Sequence, residues 1–276
     1  LGQLAASQQQ NDQAIQHLRT ALLCSQAGPQ NPRAAEALLT LSLLLDRQGY
    51  WSAAMEAYTR FGKWVDQNGR DYADRAALRD WVVRPERLLS RQGALLLLLR
   101  RTPEAIALLD RAYRRDRTSG RTASLLVDAL LSRKQYDKVE TMLLDMVELP
   151  SQRGNLPQML NSLCRQSKDR KLPVRFWQAV AQRHKQDADI AISLARTAQQ
   201  LSWSDEAMTI LQSVATIQPN NADLWRILGS NYARRARYEE LLVLMDKSLA
   251  GDPASAVAMG ESMTDIAAAS NSPGVE

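Results

Sequence analysis

The sequence predicts an all-α fold built from repeated helix hairpins, and three observations carry that prediction. A spacing of large and small residues returns every 34 residues, as successive starting points at Glu86, Gly120, Gly154, Ala188, Ala222 and Ala256. Leu, Ala, Gln and Arg dominate, all good helix formers, whereas β-branched residues are sparse. Hydrophobic residues make up 45% of the 276 residues but aromatic ones only 5%, enough apolar surface for a core made mainly of aliphatic side chains.

The stretch from Ala222 to Pro253 shows the spacing best. With Ala222 as position 1, residues Trp225, Leu228, Gly229, Tyr232, Leu241, Met245, Ser248 and Pro253 occupy positions 4, 7, 8, 11, 20, 24, 27 and 32. Small residues at positions 8, 20 and 27 let two helices approach closely, and large ones fill the space around them. On these residues the chain resembles the tetratricopeptide repeat family, whose unit is two short helices and two turns. The resemblance implies a right-handed superhelical solenoid of about seven hairpins, in which each repeat packs on its neighbours and the array shares one core. It is specific for the fold and says little about the partner.

Taken in order, the chain begins within a partial repeat at 1–27, where Leu1 and Gly2 hold positions 7 and 8 and Ala5, Ala14, Leu18 and Ala21 hold positions 11, 20, 24 and 27. A start inside a helix without Met makes the chain an expected piece of a longer protein. A Gly28-Pro29-Gln30-Asn31-Pro32 break precedes a repeat at 35–61, with Leu38, Leu41, Ser42, Leu45, Ala54, Tyr58 and Phe61 in the packing positions. Residues 62–85 exceed the period. They read as a lengthened second helix followed by an extra helix at about 71–83, ended by Pro85, with Asn68-Gly69 as a turn. Trp51, Trp64, Tyr72 and Trp81 cluster here and are expected to wedge that helix in place.

Repeats follow at 86–119, 120–153, 154–187, 188–221 and 222–255. Gly93, Leu96, Ala105, Leu109 and Ala112 serve the first, and Leu126, Leu130, Val139, Leu143 and Met146 the second. The third is degenerate: Leu160, Cys164, Trp177 and Val180 fit, but Asn161 and Pro173 stand where small residues are needed. Pro173 should place the start of the second helix at its own first turn, after a polar Lys168-Asp169-Arg170-Lys171 turn. The fourth uses Leu194, Ala195, Ala198, Ala207, Leu211 and Val214. A capping helix at 256–269 and a tail at 270–276 close a single array.

The formal charge of +5 is spread among acids and bases, apart from the run Arg111, Arg114, Arg115, Arg117 and Arg121. That run reads as a solvated helix end and loop, not as the one-sided basic face expected of a nucleic-acid binder. Cys24 and Cys164 lie four repeats apart, beyond disulfide reach at about 10 Å per repeat, and read as small core residues. They favour a reducing compartment without excluding a periplasm. The longest apolar run, 94–99, is far short of the about 20 residues that span a membrane.

Catalytic constellations are absent from the sequence: no HExxH, no CxxC, no GxxxxGK[ST] and no GxSxG. His17 and His184 stand far apart, and neighbouring acids such as Asp187 and Asp189, or Asp71 and Asp74, suit helix capping. No metal, no cofactor and no enzymatic activity is expected.

If positions 4, 7, 8 and 11 of the first helix are buried, positions 2, 5, 9, 12 and 13 lie on another face, which the resemblance identifies with the inner groove. Toward the C-terminus that face carries Arg165, Arg196, Gln199, Gln200, Arg226 and Arg234; earlier it offers Leu39, Leu43, Leu97, Leu98 and Leu131, with Arg121 and Asp128. The partner-binding groove is therefore assigned to Arg165, Arg196, Gln199, Arg226, Arg234, Leu97, Leu98 and Leu131, and would suit a peptide that is apolar at one end and acidic at the other. The plain alternative leaves these arginines hydrated and the leucines covered. No repeat has the Lys at position 5 with Asn at 9 of the chaperone-binding members; the nearest is Arg226 with Ser230, so a chaperone C-terminus is not the expected ligand.

The resemblance implies a non-enzymatic scaffold for a protein or peptide partner. It extends to the periplasmic arrays of bacterial exopolysaccharide export proteins, which recruit modifying enzymes or line a basic polymer route. The alternatives are an Arg-lined groove for an acidic polymer (polysaccharide or nucleic acid) and a regulatory array within a larger signalling protein.

Overall fold

The computed structural model describes residues 1–24, 31–72, 74–183, 188–218, 221–235, 237–251 and 257. Among them are fifteen α-helices, two short 3-10 segments and no strand. The expected cap at 256–269, the tail, His184 and Asp187 lie outside the described residues, apart from Val257. The chain divides after Arg133 into two compact units.

The first unit contains α1 (Gly2–Ser7), α2 (Asn11–Cys24), α3 (Pro32–Arg47), α4 (Trp51–Asn68), α5 (Ala76–Val82), α6 (Pro85–Leu98), α7 (Thr102–Arg115) and α8 (Gly120–Ser132). Hairpins form from α1 with α2, α3 with α4, and α6 with α7. Asn31 starts α3 by accepting the Arg33 N–H at 2.9 Å, with Pro32 in the first helical position where no N–H is needed. The small residue at position 8 has the role its place suggests. A Cβ on Gly93 would fall 2.6 Å from Leu109 Cγ, and one on Gly2 would fall 2.8 Å from Leu18 Cγ. In both hairpins the backbone of one helix thus rests directly on the leucine at position 24 of the other.

The second unit contains α9 (Tyr136–Val147), α10 (Leu156–Ser167), α11 (Leu172–Arg183), α12 (Ala188–Gln200), α13 (Ser204–Ile217), α14 (Ala222–Arg234) and α15 (Tyr238–Gly251). α12 packs on α13 and α14 on α15 as hairpins. The degenerate repeat differs: α10 packs chiefly on α9 and α12, and α11 on α9, α12 and α13. Asn161 and Pro173 remove the two small residues through which α10 and α11 would meet, so each helix takes its burial from its neighbours. Pro173 is the second residue of α11, as its missing N–H requires.

The turn from first to second helix has a fixed signature. Arg100, Lys134, Lys168 and Ser202, each 34 residues after the last, all adopt a left-handed conformation with φ between 55 and 62°. Gly49 does the same in the α3–α4 turn with φ 79°, and Gln9 in the first hairpin. The four non-glycine turns recur with the period of the packing residues, and their side chains gave no hint of it.

Among the described packing positions named from the period, Leu38, Leu45, Tyr58, Phe61, Leu96, Leu109, Leu126, Leu143, Leu160, Cys164, Leu194, Leu211, Trp225 and Tyr232 are buried. Leu1 and Ala21, in the partial repeat, are exposed. The surplus segment forms the long α4, a 3-10 turn over Gly69–Tyr72 and α5, close to the expected extra helix. Its aromatic residues wedge as expected: Trp81 lies 6.1 Å from Tyr58 and 6.5 Å from Phe61 between ring centroids, and Trp64 lies 5.5 Å from Tyr72. Trp51 is the exception, 39% exposed.

Candidate functional site

In the second unit, the first helices of successive repeats each bury one face and expose another, as a 3.6-residue turn dictates. Leu163, Cys164, Leu194, Ala195, Ala198, Leu224 and Leu228 are buried, while Arg165, Arg196, Arg226 and Arg234 are exposed beside them. Neither Arg165, Arg196 nor Arg234 has an ion-pair partner among the described residues. Gln199 is different. Its Nε2 donates to Asn231 Oδ1, and Asn231 Nδ2 donates to the Ile227 carbonyl at 2.7 Å. Asn161 Nδ2 donates to Gln200 Oε1 at 3.4 Å. The amides of this wall therefore bond to one another between neighbouring helices, and the arginines are the groups left facing outward.

In the first unit the apolar positions divide. Leu98 is 51% exposed and Leu97 half-buried, so this end of α6 does present an apolar surface. Leu131 does not: it is 1% exposed, and Leu39 is 5% exposed. The assignment of Leu131 to an open groove is corrected on this point. α8 packs on both α6 and α7, so it buries Leu130 and Leu131 together and has little apolar surface to offer a ligand.

The first unit also contains a cavity of about 810 Å³, built from α5, α6, the end of α7 and the start of α8. Its lining includes five arginines (Arg84, Arg87, Arg91, Arg115 and Arg121) against two carboxylates, Glu86 and Asp116. Two of the arginines are committed elsewhere. Arg91 Nε bonds Asp46 Oδ2, a carboxylate only 4% exposed on α3, and the Tyr58 hydroxyl donates to the same oxygen at 3.4 Å. The bond to Asp46 holds the Arg91 guanidinium above its ordinary pKa, while burial, then the nearby Asp46 charge, pushes the Tyr58 hydroxyl up. Arg87 pairs with Asp80 at 2.9 Å.

Arg84, Arg115 and Arg121 have no such partner among the described residues. Beside them lies a chain of hydroxyls: Thr122 Oγ1 donates to Ser90 Oγ at 3.0 Å and meets Ser119 Oγ at 2.9 Å. Ser119 also accepts the Thr122 N–H at the start of α8. Asp116 accepts the Thr118 N–H at 2.9 Å and its hydroxyl at 2.6 Å.

By sequence Arg115 and Arg121 fall in a run expected to be solvated; in the structure they line this cavity with Arg84. One signal was present: Arg87 and Arg121 occupy the same position 2 of consecutive repeats, 34 residues apart. Ser90 and Trp81 could not have been added from spacing, because the surplus segment sets where they stand.

Among the described residues no cluster of His, Cys, Asp or Glu is arranged to hold a metal ion. No described helix is long and apolar enough to cross a membrane.

No protein-family model matches the chain, and no curated protein matches it. Among solved structures it is similar to a tetratricopeptide repeat protein from Parabacteroides merdae, with 15% identity over 95% of this chain and 94% of that one and a TM-score of 0.47. The C-terminal part of a repeat-containing protein from Cytophaga hutchinsonii gives 11% identity over 96% and 93%, with a TM-score of 0.44. The pilF protein of Pseudomonas aeruginosa gives 19% identity over 81% and 91%, with a TM-score of 0.40.

Proposed function

We propose that this chain, whose fold is the tetratricopeptide α-solenoid, is a non-enzymatic scaffold that holds a partner protein or peptide on the exposed face of its first helices. The acidic part of the partner lies on the second unit, against Arg165, Arg196, Arg226 and Arg234. The observation that supports this most is the outward row of guanidiniums, with Arg165, Arg196 and Arg234 having no ion-pair partner among the described residues, beside Gln199 and Asn231 bonded to each other. A guanidinium fork suits carboxylates, which it can grip through two parallel bonds. Leu97 and Leu98 offer an apolar contact on the first unit.

The finer reading places the scaffold in the periplasmic part of a bacterial exopolysaccharide export protein, where the partner is a polymer-modifying enzyme. A second reading makes the ligand an acidic polymer drawn to the same arginines. Salt separates the two, because polymer binding by charge falls steeply as counterions compete. The test is the affinity for a fluorescent peptide of alternating Asp and Leu, read by anisotropy. Arg196→Ala with Arg226→Ala should weaken it about tenfold or more with helicity unchanged. Unchanged affinity dismisses the arginine wall as a site.

A further inference from the structure

We propose that the cavity of the first unit, between α5, α6, α7 and α8, is a separate binding site for a phosphate monoester group. It shares no residue with the arginine wall and stands whether or not that wall binds a peptide.

Three features point to this chemistry. The first is the set of unpaired cations. Arg84, Arg115 and Arg121 line one concavity without an ion-pair partner among the described residues, whereas Arg75, Arg87, Arg91, Arg101 and Arg114 of the same unit are all paired. The second is the hydroxyl chain from Ser119 through Thr122 to Ser90 on the same lining, which leaves the Ser90 hydroxyl as a neutral donor beside the charged ones. The third is size: about 810 Å³ is room for an anion together with the group that bears it.

Number of oxygens favours phosphate over carboxylate. A carboxylate has two acceptor oxygens and satisfies two forks at most. A phosphate monoester has three terminal oxygens and a charge of about −1.5 to −2 at neutral pH, which matches three guanidiniums on one lining. Arg91 is held by Asp46 and Tyr58, so this wall of the cavity is fixed before any ligand arrives. Glu86 works in the opposite sense. Its half-buried carboxylate lines the same cavity without an ion-pair partner and repels an entering dianion.

The experiment is calorimetric titration of the full chain at ~50 mM salt, low enough that screening does not erase the interaction. One arm uses inorganic phosphate and the other a phosphoserine-bearing peptide, each with its unphosphorylated or sulfate counterpart as control. The expected result is saturable binding that weakens about tenfold or more in Arg115→Gln with Arg121→Gln. Glu86→Gln should tighten it, the sign that a mere loss of folding could not produce. Arg165→Gln with Arg196→Gln should leave it unchanged. Arg84→Gln repeats the measurement without touching α8, since the Arg84 side chain makes no cap bond. Equal affinity in the two arms assigns a small phosphate-bearing molecule; preference for the peptide assigns a phosphorylated partner. No saturable binding in either arm, or binding indifferent to Arg84, Arg115 and Arg121, overturns the proposal.

Discussion

The two units solve the same problem, joining one hairpin to the next, with different materials. The first joins α3–α4 to α6–α7 through buried rings and a buried charge. Trp81 of α5 meets Tyr58 and Phe61 of α4 at centroid distances of 6.1 and 6.5 Å, and the buried Asp46 of α3 pairs with the partly exposed Arg91 of α6. The second buries aliphatic side chains between its hairpins, such as Leu163, Leu194, Leu211 and Leu224, and adds ion pairs at the surface. Arg175 reaches Glu140 at 2.7 Å and Asp169 at 3.5 Å, Arg170 reaches Glu206 at 3.2 Å, and Arg235 reaches Asp205 at 2.5 Å. Trp177 adds a hydrogen bond to Ser213 at 2.6 Å. Rings removed from water stabilise by area and are indifferent to salt. Exposed ion pairs contribute little singly and less as salt rises. On one helical period, contact between repeats is therefore supplemented by ring packing in the first unit and by exposed ion pairs in the second.

The largest test of that contrast is Phe61→Ala, which empties a fully buried site beneath Trp81. It should cost about 3–5 kcal/mol. Hydrogen exchange should show protection lost in α4, α5 and α6 and kept in α12 and α13. Equal loss in both sets would break the division between the units.

A smaller effect is expected from Glu140→Gln, since its partner Arg175 is 54% exposed. Urea unfolding should register a loss of about 0.5 kcal/mol that shrinks at high salt. A loss as large as that of Phe61→Ala would mean the second unit relies on its ion pairs far more than their exposure allows.

The smallest effect is on pH. The hydrogen bond from Arg235, followed by its charge, holds the Asp205 carboxyl below its ordinary value of 3.8. Its contribution is thus present above pH 3.8 and is lost as pH falls through the lower folded value. Circular dichroism between pH 5 and pH 3, compared with Asp205→Asn, should show a slight acid weakening that the variant lacks.

Much of the fold was legible because helix packing repeats with the period that the large and small residues reveal. Gly93 against Leu109 is a direct case: one small residue, one large one, and the contact follows. The extra helix could be placed from a surplus of chain and a run of aromatic residues. The candidate sites were less legible. Leu131 stands at a groove position, yet α8 is apolar around much of its circumference and period alone cannot say which leucine remains outside. The period places Gln199 on the exposed side of α12, but its bond to Asn231 depends on a residue of the next repeat. The cavity escaped for a similar reason, since Trp81, Arg84, Arg115 and Ser119 converge only once α5 has been wedged against α4 and α6.

The left-handed residues at Lys168 and Ser202 bear on how such a chain can gain or lose length. Each takes a left-handed φ, 56° and 62°, and neither relies on glycine to do so. Excising 169–202 would set Trp203 directly after Lys168, so that α13 again followed a residue of left-handed φ. Modular shortening or duplication by whole periods is therefore open to this chain at its bends, where a lysine or a serine takes the left-handed conformation equally well.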